Sequence, residues 1–401
     1  MDARTPSRDA PVRPHAYALL LLLMVMTATG PVSLNILVPA VPKLTELMRT
    51  DVGTVQLTLS LFLLSLAFSQ LVLGPLSDRF GRRPVVLGGL SLATFGSLAG
   101  IAASSVEWLI IARIVQALGA STGIVIGRAI IRDLYERERA ASMIGLVTTV
   151  MAIAPMFAPA LGGFLDTLFG WQSIFVFLSA FNALVLTWAM RTLPETRAVS
   201  AEASSVLRDW ARLLRSPTFH GYVLCGGFGT AQFFVFIGGG PHAVVSMMGR
   251  TSAEYGLWFA ITSIGYMGGN FIASRLSQRL GLRRMILGGL ALQVFGVLGQ
   301  IVGFALFPQA GPALLFVPQI VISLGNGIML PNAIAGAVSV VPHAAGAASG
   351  ITGFTQMAVG AAAAQAISMI LVHAATPMPI PVMTLGVILI AAVSYLTLVR
   401  R

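Results

Sequence analysis

Charged side chains, lysine and cysteine are all scarce in this sequence of 401 residues, and each shortage excludes a class of protein. Charged residues make up 10% of the chain, whereas soluble domains carry about 25%. Hydrophobic residues make up 56%, and the mean hydropathy is +0.86. Because so few charges cannot cover a surface that faces water, we predict a protein that lies in a lipid bilayer. The single cysteine, Cys225, excludes a disulfide within the chain.

The net charge of +11 does not indicate a nucleic-acid partner. Lys43 is the only lysine, and the arginines are scattered between apolar runs instead of forming one basic face. The sequence also contains no nucleotide-binding loop, no cluster of metal ligands and no nucleophile triad. We therefore expect neither an enzyme nor a protein that needs a metal or a cofactor.

Twelve apolar stretches are long enough to cross a bilayer, which takes about 20 helical residues. The first could be taken for a signal peptide, but its apolar character continues to Pro42, beyond the roughly 7–15 residues of a signal-peptide core. We interpret it as an uncleaved first helix of an all-α membrane protein. The predicted spans 1 to 12 are 16–41, 54–75, 84–104, 107–130, 140–164, 171–190, 218–241, 255–274, 285–307, 312–333, 346–372 and 380–399.

A long polar segment separates spans 6 and 7. In its second part Val206, Trp210 and Leu213 share one helical face, which is typical of an amphipathic helix on a membrane surface. A flexible linker is the alternative interpretation. The predicted units are an N-terminal six-helix half at 1–190, the linker at 191–217 and a C-terminal six-helix half at 218–401.

Arginine is distributed unequally between the two sets of loops that twelve spans create. One set, which includes both termini and the linker, carries twenty arginines, whereas the other carries only Lys43, Arg49 and Arg250. Loops rich in lysine and arginine stay in the cytoplasm. We therefore expect both termini and the linker to be cytoplasmic, in a multi-pass protein of the bacterial inner membrane.

One arginine-rich phrase occurs twice, as LSDRFGRRPVVLGGL at 76–90 and as LSQRLGLRRMILGGL at 276–290. Such self-similarity indicates an internal duplication. Both copies follow the second span of their half on the same side, so the halves form a parallel repeat about an axis along the membrane normal. Gly81 and Gly281 allow the chain to turn tightly there.

Several motifs resemble those of the major facilitator superfamily. GPLSDRFGRRPVVL (74–87) resembles its signature loop, and RIVQALGASTGIVIGRAIIRDLY (113–135) resembles its fourth-helix motif. APMFAPALGGFL (154–165) is similar to the fifth-helix motif of drug–proton antiporters, with Ala158 where glycine is usual. Together with RDLYERERAAS after span 4, they resemble the bicyclomycin/chloramphenicol-resistance (Bcr/CflA) branch. The resemblance implies twelve transmembrane helices in two six-helix halves.

The resemblance also implies a gating role for the signature loop. Asp78 either forms a topology-setting ion pair or acts as a latch that accepts from backbone N–H groups at the start of span 11, near 346–350. Because the second copy has Gln278 at this position, the latch would be one-sided. Asp133 would pair with Arg82 or Arg83. The gating residues are Gly74, Asp78, Arg79, Gly81, Arg82, Arg83 and Asp133, and those of the fifth-helix motif are Pro155, Pro159, Gly162 and Gly163.

Arg113 is a strong charge inside the hydrocarbon region, about six residues into span 4. It either snorkels to the outer interface or faces a cavity as a functional residue. Gln116 lies one turn away on the same face. The resemblance implies that Arg113 takes part in proton transfer, and Asp133 is a second candidate for proton coupling.

No carboxylate falls in the middle of a predicted span, because all fourteen lie at span ends, in loops or in the tail. The resemblance would place an acid in span 1, where this chain has Asn35. An asparagine can hydrogen-bond a substrate but cannot carry a proton. His242, at the outer end of span 7, could titrate instead, and a plain interfacial histidine is the alternative.

Polar and aromatic residues within the spans are candidates for lining a cavity, although interhelical packing is the default interpretation of each. The resemblance places spans 1, 4, 7 and 10 around that cavity. An aromatic wall with a few amides suits a lipophilic, hydrogen-bonding ligand. The candidate cavity residues are Asn35, Arg113, Gln116, Gln232, Phe233, Phe236, Asn326 and Gln356.

Together these features predict a monomeric secondary transporter that exports neutral or anionic lipophilic antibiotics of the amphenicol type. It would work by alternating access and proton antiport, with a small-molecule substrate, protons and the lipid bilayer as partners. One alternative is uptake or exchange of an anionic metabolite bound by Arg113. Another is a sensor on the same scaffold that binds a ligand without transporting it.

Overall fold

The computed structural model describes residues 14–134, 143, 147, 157–196, 206–307, 311–341 and 344–399. Every regular element in these ranges is helical. A 3-10 turn at Val38–Ala40 and a π-helical segment at His242–Met247 join longer helices. The helices are α1 (Pro14–Asn35), α2 (Val41–Leu47), α3 (Val52–Phe80), α4 (Arg82–Ile101), α5 (Val106–Leu134), α6 (Phe157–Phe169), α7 (Gln172–Thr192), α8 (Val206–Leu214), α9 (Pro217–Pro241), α10 (Ser252–Leu306), α11 (Ala313–Ser339), α12 (Ala345–Leu371) and α13 (Pro379–Leu398).

Ten helical segments among the described residues are long and apolar enough to cross a membrane. The outer surface agrees with this, since Phe95 is 65% exposed and Phe295, its counterpart in the repeated phrase, is 71% exposed. A soluble protein would bury such rings. The prediction of an all-helical, multi-pass membrane protein is confirmed. Of predicted span 5, α6 covers the last residues, and 135–142 together with most of 143–156 lie outside the described residues.

Helix α10 contains both predicted spans 8 and 9, as two helical arms that meet at a kink. The kink lies at Gly281, where φ is 77° and the backbone is not helical, so the predicted turn is present at a single residue. Gly81, between α3 and α4, has a similar φ of 98°. Both glycines adopt a left-handed backbone conformation that side chains disfavour. The two copies of the repeated phrase therefore share one local turn.

Side-chain caps mark several helix starts. The carboxylate of Asp51 accepts from the backbone N–H of Thr54 at 3.0 Å, and Thr251 and Ser216 cap α10 and α9 in the same way. Hydrogen bonds from the Thr54 side chain and backbone hold the pKa of Asp51 below its usual value. Each cap satisfies a backbone donor that a helix N-terminus leaves free.

Glycines bring helices into close contact. A Cβ on Gly119 of α5 would overlap the backbone of α4 at Gly89 and Ala93, and one on Gly325 of α11 would overlap α10 at Gly289. In lipid, small residues let helix backbones approach and pack. Gly89 and Gly289 are counterparts in the repeated phrase, so α4–α5 and the second arm of α10 with α11 pack in the same manner.

The segment between α7 and α9 contains the helix α8. Leu213 is fully buried at the ends of α9, α11 and α12, in a cluster with Phe219, Ala337 and Ala348. The helical interpretation of this segment is therefore correct for Val206–Leu214, whereas its placement on the membrane surface stays a prediction. Residues 197–205, which precede α8, lie outside the described ranges.

Candidate functional site

Arg113 of α5 is fully buried and is held entirely by neutral groups among the described residues. Its Nη1 donates to the backbone oxygen of Ser33 on α1 at 2.7 Å and to Oε1 of Gln116, and its Nε lies 3.4 Å from the backbone oxygen of Thr58 on α3. The guanidinium carbon also lies 4.0 Å from the centre of the Phe62 ring, a cation–π contact. Snorkelling is therefore wrong for Arg113, because its side chain points into the bundle.

The Arg113 network continues through neutral side chains to α4 and α7. Gln116 donates from Nε2 to the hydroxyl of Ser97 at 2.7 Å, and Asn182 donates to the same hydroxyl at 3.1 Å. Nη2 of Arg113 and the hydroxyl of Ser33 have no hydrogen-bond partner among the described residues. These two buried groups therefore have unused hydrogen-bonding capacity in this structure.

A second buried network joins α9, α10 and α11. Gln319 donates from Nε2 to Oε1 of Gln232 at 3.0 Å, and Gln300 donates to the backbone oxygen of Leu315 at 2.7 Å while lying 3.5 Å from Gln319. Gln300 was not among the predicted cavity residues. The signal that could have found it is an amide within an otherwise apolar run.

Gln319 occupies the position in α11 that Arg113 occupies in α5. Gly96 of α4 packs against α5 at Ala112 and Gln116, whereas its counterpart Gly296 packs against α11 at Pro318 and Ile322. Ala112 corresponds to Pro318 and Gln116 to Ile322, with the same separation along the chain in both cases. Arg113 and Gln319 have this separation too, so they are counterparts. One buried network is therefore built around a charge and the other around an amide.

Three further predicted cavity residues have no described hydrogen bond to either network. Asn35 donates from Nδ2 to the backbone oxygen of Pro31 at 2.8 Å, so it bonds within α1, and its Oδ1 has no described partner. Asn326 is buried with its Oδ1 also without a described partner. Gln356 lies against Gly226 of α9. Among the described residues, no hydrogen bond joins the Arg113 network to the Gln319 network.

The two predicted phenylalanines belong to an aromatic cluster. Phe236 is buried, with its ring 5.3 Å from Phe316 in an edge-to-face arrangement. Phe233 is partly buried and contacts Phe234 and Phe259. Phe236 therefore packs as core between α9 and α11 in this structure, and its contact with a ligand stays a prediction.

The signature loop forms an ion-pair cluster centred on Arg82. Arg82 contacts Asp78 at 2.5 Å and Asp133 at 3.0 Å, and it also donates to the hydroxyl of Ser77. Asp78 is 64% exposed, so its carboxylate is not the buried acceptor at the start of α12 that the latch interpretation requires. The local ion pair is the arrangement present in this structure. Gly74 and Arg79 belong to the last two turns of α3, next to this cluster.

Glu195 was missed by the sequence analysis. Its two carboxylate oxygens accept from the backbone N–H groups of Arg82 and Arg83 at 2.9 and 3.2 Å, at the N-terminus of α4. An anion at a helix N-terminus is stabilised by the helix dipole. Arg83 donates in turn to the backbone oxygen of Met190 at 2.9 Å. The loop is thus tied to the end of α7 as well as to α5.

The fifth-helix motif brings α6 against the chain just after α1 and against the start of α10. Gly162 packs on the backbone oxygen of Ile36, and Gly163 packs on the backbone of Ser252 at the start of α10. Gly256 of α10 approaches Pro159 and Ala160 in return. Pro155 of the same motif lies outside the described residues.

A further contact pairs α3 with α12 at the same end of the bundle. Gln365 donates from Nε2 to the backbone oxygen of Gly53 at 2.8 Å and accepts from the hydroxyl of Ser60 at 3.0 Å. Nearby, Lys43 forms an ion pair with Asp166 at 3.3 Å, and Asp166 is only 2% exposed. This carboxylate is buried, but it lies near the end of α6, as the sequence indicated.

Comparisons with known proteins agree with this architecture. The sequence pattern of the Major Facilitator Superfamily matches residues 21–364. The multidrug resistance protein D of Escherichia coli is 30% identical over 84% of this chain and 85% of its own length. A chloramphenicol resistance protein of Pseudomonas aeruginosa is 34% identical over 62% of this chain and 59% of its own length.

Among solved structures, a bacterial homologue of the human lysosomal transporter Spinster, in an inward-facing and unoccupied conformation, superposes with a TM-score of 0.76. It is 15% identical, and the match covers 96% of this chain and 97% of that one. The named relatives fit the bicyclomycin/chloramphenicol-resistance branch that the motifs resemble. The chain belongs to the Major Facilitator Superfamily of membrane transporters.

Proposed function

We propose that this protein is a secondary active transporter that exports lipophilic antibiotics, neutral or anionic, by alternating access and proton antiport. The observation that carries the proposal is the fully buried Arg113, which is surrounded by neutral groups and has one unpartnered nitrogen. A fixed positive charge favours ligands with acceptor oxygens, such as amphenicols. The relatives named for drug resistance support export as the direction of transport.

The proposed architecture has twelve membrane spans in two halves, 1–190 and 218–401, joined by 191–217. It is supported by the shared turn at Gly81 and Gly281 and by the matching glycine packing of α4–α5 and α10–α11. In such a parallel repeat the two halves rock about a site between them. The exposure of Asp78 and the contacts of Gly163 with Ser252 and of Gln365 with Gly53 support an inward-facing state, closed at the outer end.

The proposed orientation, with both termini in the cytoplasm, predicts a labelling pattern. Single cysteines replacing the exposed Arg79 and Arg279, in a Cys225→Ser background, should both be shielded from a membrane-impermeant thiol reagent in intact cells. A cysteine replacing the exposed Arg250 should react, because that loop carries little positive charge and lies outside. Reaction at Arg79→Cys but not Arg279→Cys would contradict the parallel repeat.

The charge of the site predicts which drugs are exported. A cation entering beside Arg113 would lose hydration next to a like charge, at a cost on the order of several kcal/mol. We expect protection of an efflux-deficient strain against chloramphenicol-type or anionic compounds, and little protection against ethidium or quaternary ammonium salts. Asn35→Asp should shift the inhibitory concentrations toward protection against cations.

Strong resistance to ethidium without resistance to neutral drugs would overturn the electrostatic part of the proposal.

The alternative function, uptake or exchange of an anionic metabolite, is favoured by the same unpartnered guanidinium nitrogen. It predicts no change in drug susceptibility and Arg113-dependent uptake of a labelled carboxylate into proteoliposomes. Proton coupling is tested in the same vesicles, since drug flux should follow an imposed pH gradient and disappear when the gradient is collapsed.

A further inference from the structure

An apolar groove of about 410 Å³ lies between α3, α4 and α5. Its lining includes Phe68, Val72, Phe80, Leu92 and Leu118, all of which are exposed side chains of membrane-spanning helices. None of the predicted cavity residues lines it. The groove therefore faces the bilayer and is separate from the Arg113 and Gln319 networks.

The groove exists because a side chain is missing from its floor. Gly88 lines it, and a Cβ at this position would meet no atom within 4 Å. Its neighbour Gly89 has no such space, because a Cβ there would overlap Thr122. A volume of this size falls within the range of pockets that hold drug-sized ligands, about 300–1,000 Å³.

A positive charge lies at one end of the groove. The guanidinium carbon of Arg79 is 5.4 Å from the centre of the Phe80 ring, and Phe80 lines the groove. Arg79 is exposed, whereas the neighbouring Asp78 is engaged by Arg82 and Arg83 donates to Met190. Arg79 is thus the cation available to a ligand that enters the groove from this end.

We propose that the groove binds one acyl chain of an anionic phospholipid, with the lipid phosphate on Arg79. The groove supplies apolar surface along the chain, and the guanidinium supplies a charge-assisted hydrogen bond to the phosphate. Arginine next to the cytoplasmic end of a spanning helix suits anionic headgroups, and the proposed orientation places Arg79 there. The occupant is therefore a lipid of the inner leaflet.

The bound lipid also touches the contact between α3 and α12. Phe68 lines the groove, and its ring packs edge-to-face on Phe354 of α12 with the centroids 5.7 Å apart. Filling the groove holds Phe68 in that position. The lipid therefore stabilises the arrangement in which α3 and α12 pack together, and anionic lipid should raise the thermal stability of the protein.

The test measures lipid binding to the purified full-length protein by native mass spectrometry and by thermal unfolding in detergent. Phosphatidylglycerol should bind and raise Tm more than phosphatidylcholine does. Gly88→Leu fills the groove and should weaken phosphatidylglycerol binding about ten-fold. Gly288→Leu is the matched control, because its Cβ also meets no atom within 4 Å, and it should bind like the wild type. Arg79→Gln should remove the preference for phosphatidylglycerol over phosphatidylcholine.

A wild-type experiment keeps the proposal testable if a variant fails to fold. Phosphatidylglycerol with a photoreactive group in its acyl chain should cross-link to peptides of α3, α4 or α5 that line the groove. Equal binding of the two lipids, unchanged binding by Gly88→Leu, or cross-links confined to other helices would overturn the proposal.

Discussion

Arg113→Ala should abolish drug export and lower the stability of the protein more than a change at any other candidate cavity residue. The substitution removes the donors that now serve the backbone oxygens of Ser33 and Thr58 and the side chain of Gln116. Each buried acceptor left without a donor costs about 1–3 kcal/mol. It also removes the ring contact with Phe62 and the fixed charge of the site. Resistance in an efflux-deficient strain and Tm of the purified protein measure the two effects.

Gln319→Ala is the matched control for Arg113→Ala, since Gln319 holds the equivalent position with an amide in place of a charge. It should cost less stability, because only neutral hydrogen bonds, with Gln232 at 3.0 Å and with Gln300 at 3.5 Å, are lost. Arg113→Lys should also fail, because an ammonium group cannot reproduce the planar fork that reaches α1 and α3. Wild-type resistance and an unchanged Tm in Arg113→Ala would show that the buried charge has no part in transport.

Gly163→Leu should also stop transport, through a different step. A side chain at Gly163 would overlap the backbone of Ser252 and Ala253, so α6 could no longer approach the start of α10. The proposed closure of the outer end would be blocked, while binding residues deeper in the bundle stay intact. We expect loss of resistance with normal membrane insertion, and faster labelling from outside of a single cysteine placed at Ser252.

Gly386→Leu serves as the control for Gly163→Leu, since a Cβ at Gly386 meets no atom within 4 Å. It adds the same bulk to a spanning helix without touching α6 or α10. Resistance should remain near the wild-type level. If both leucine variants lose resistance equally, added bulk in a spanning helix explains the loss, and the packing of α6 on α10 does not.

Helix positions were the most predictable part of the fold. Span 7 was predicted at 218–241 and α9 is Pro217–Pro241, because a long apolar run follows a serine cap and a proline that suits the first turn. The turn between spans 8 and 9 was predicted at Gly281, and α10 is kinked at that residue. The shortness of the turn was not predictable, because the polar residues on either side of Gly281 stay helical.

Contacts in the candidate site were predictable only over short separations. Arg113 and Gln116 are one helical turn apart, and the spacing alone placed them together. Glu195 reaches the N-terminus of α4 across more than a hundred positions, and no local pattern indicates that contact. The hydrogen-bond partner of the Asn35 side chain was not predictable either. The same local sequence allows the amide to bond to its own helix, as it does here, or to face a cavity.

The charge of Arg113 lies inside the electric field of an energised membrane. An arginine stays protonated in proteins, and no carboxylate neutralises this one among its described partners. Moving one elementary charge across a membrane held at 100 mV involves work of about 2.3 kcal/mol. Any step of the transport cycle that displaces α5 along the membrane normal therefore moves charge through that field. The equilibrium of such a step depends on voltage even when the substrate is neutral.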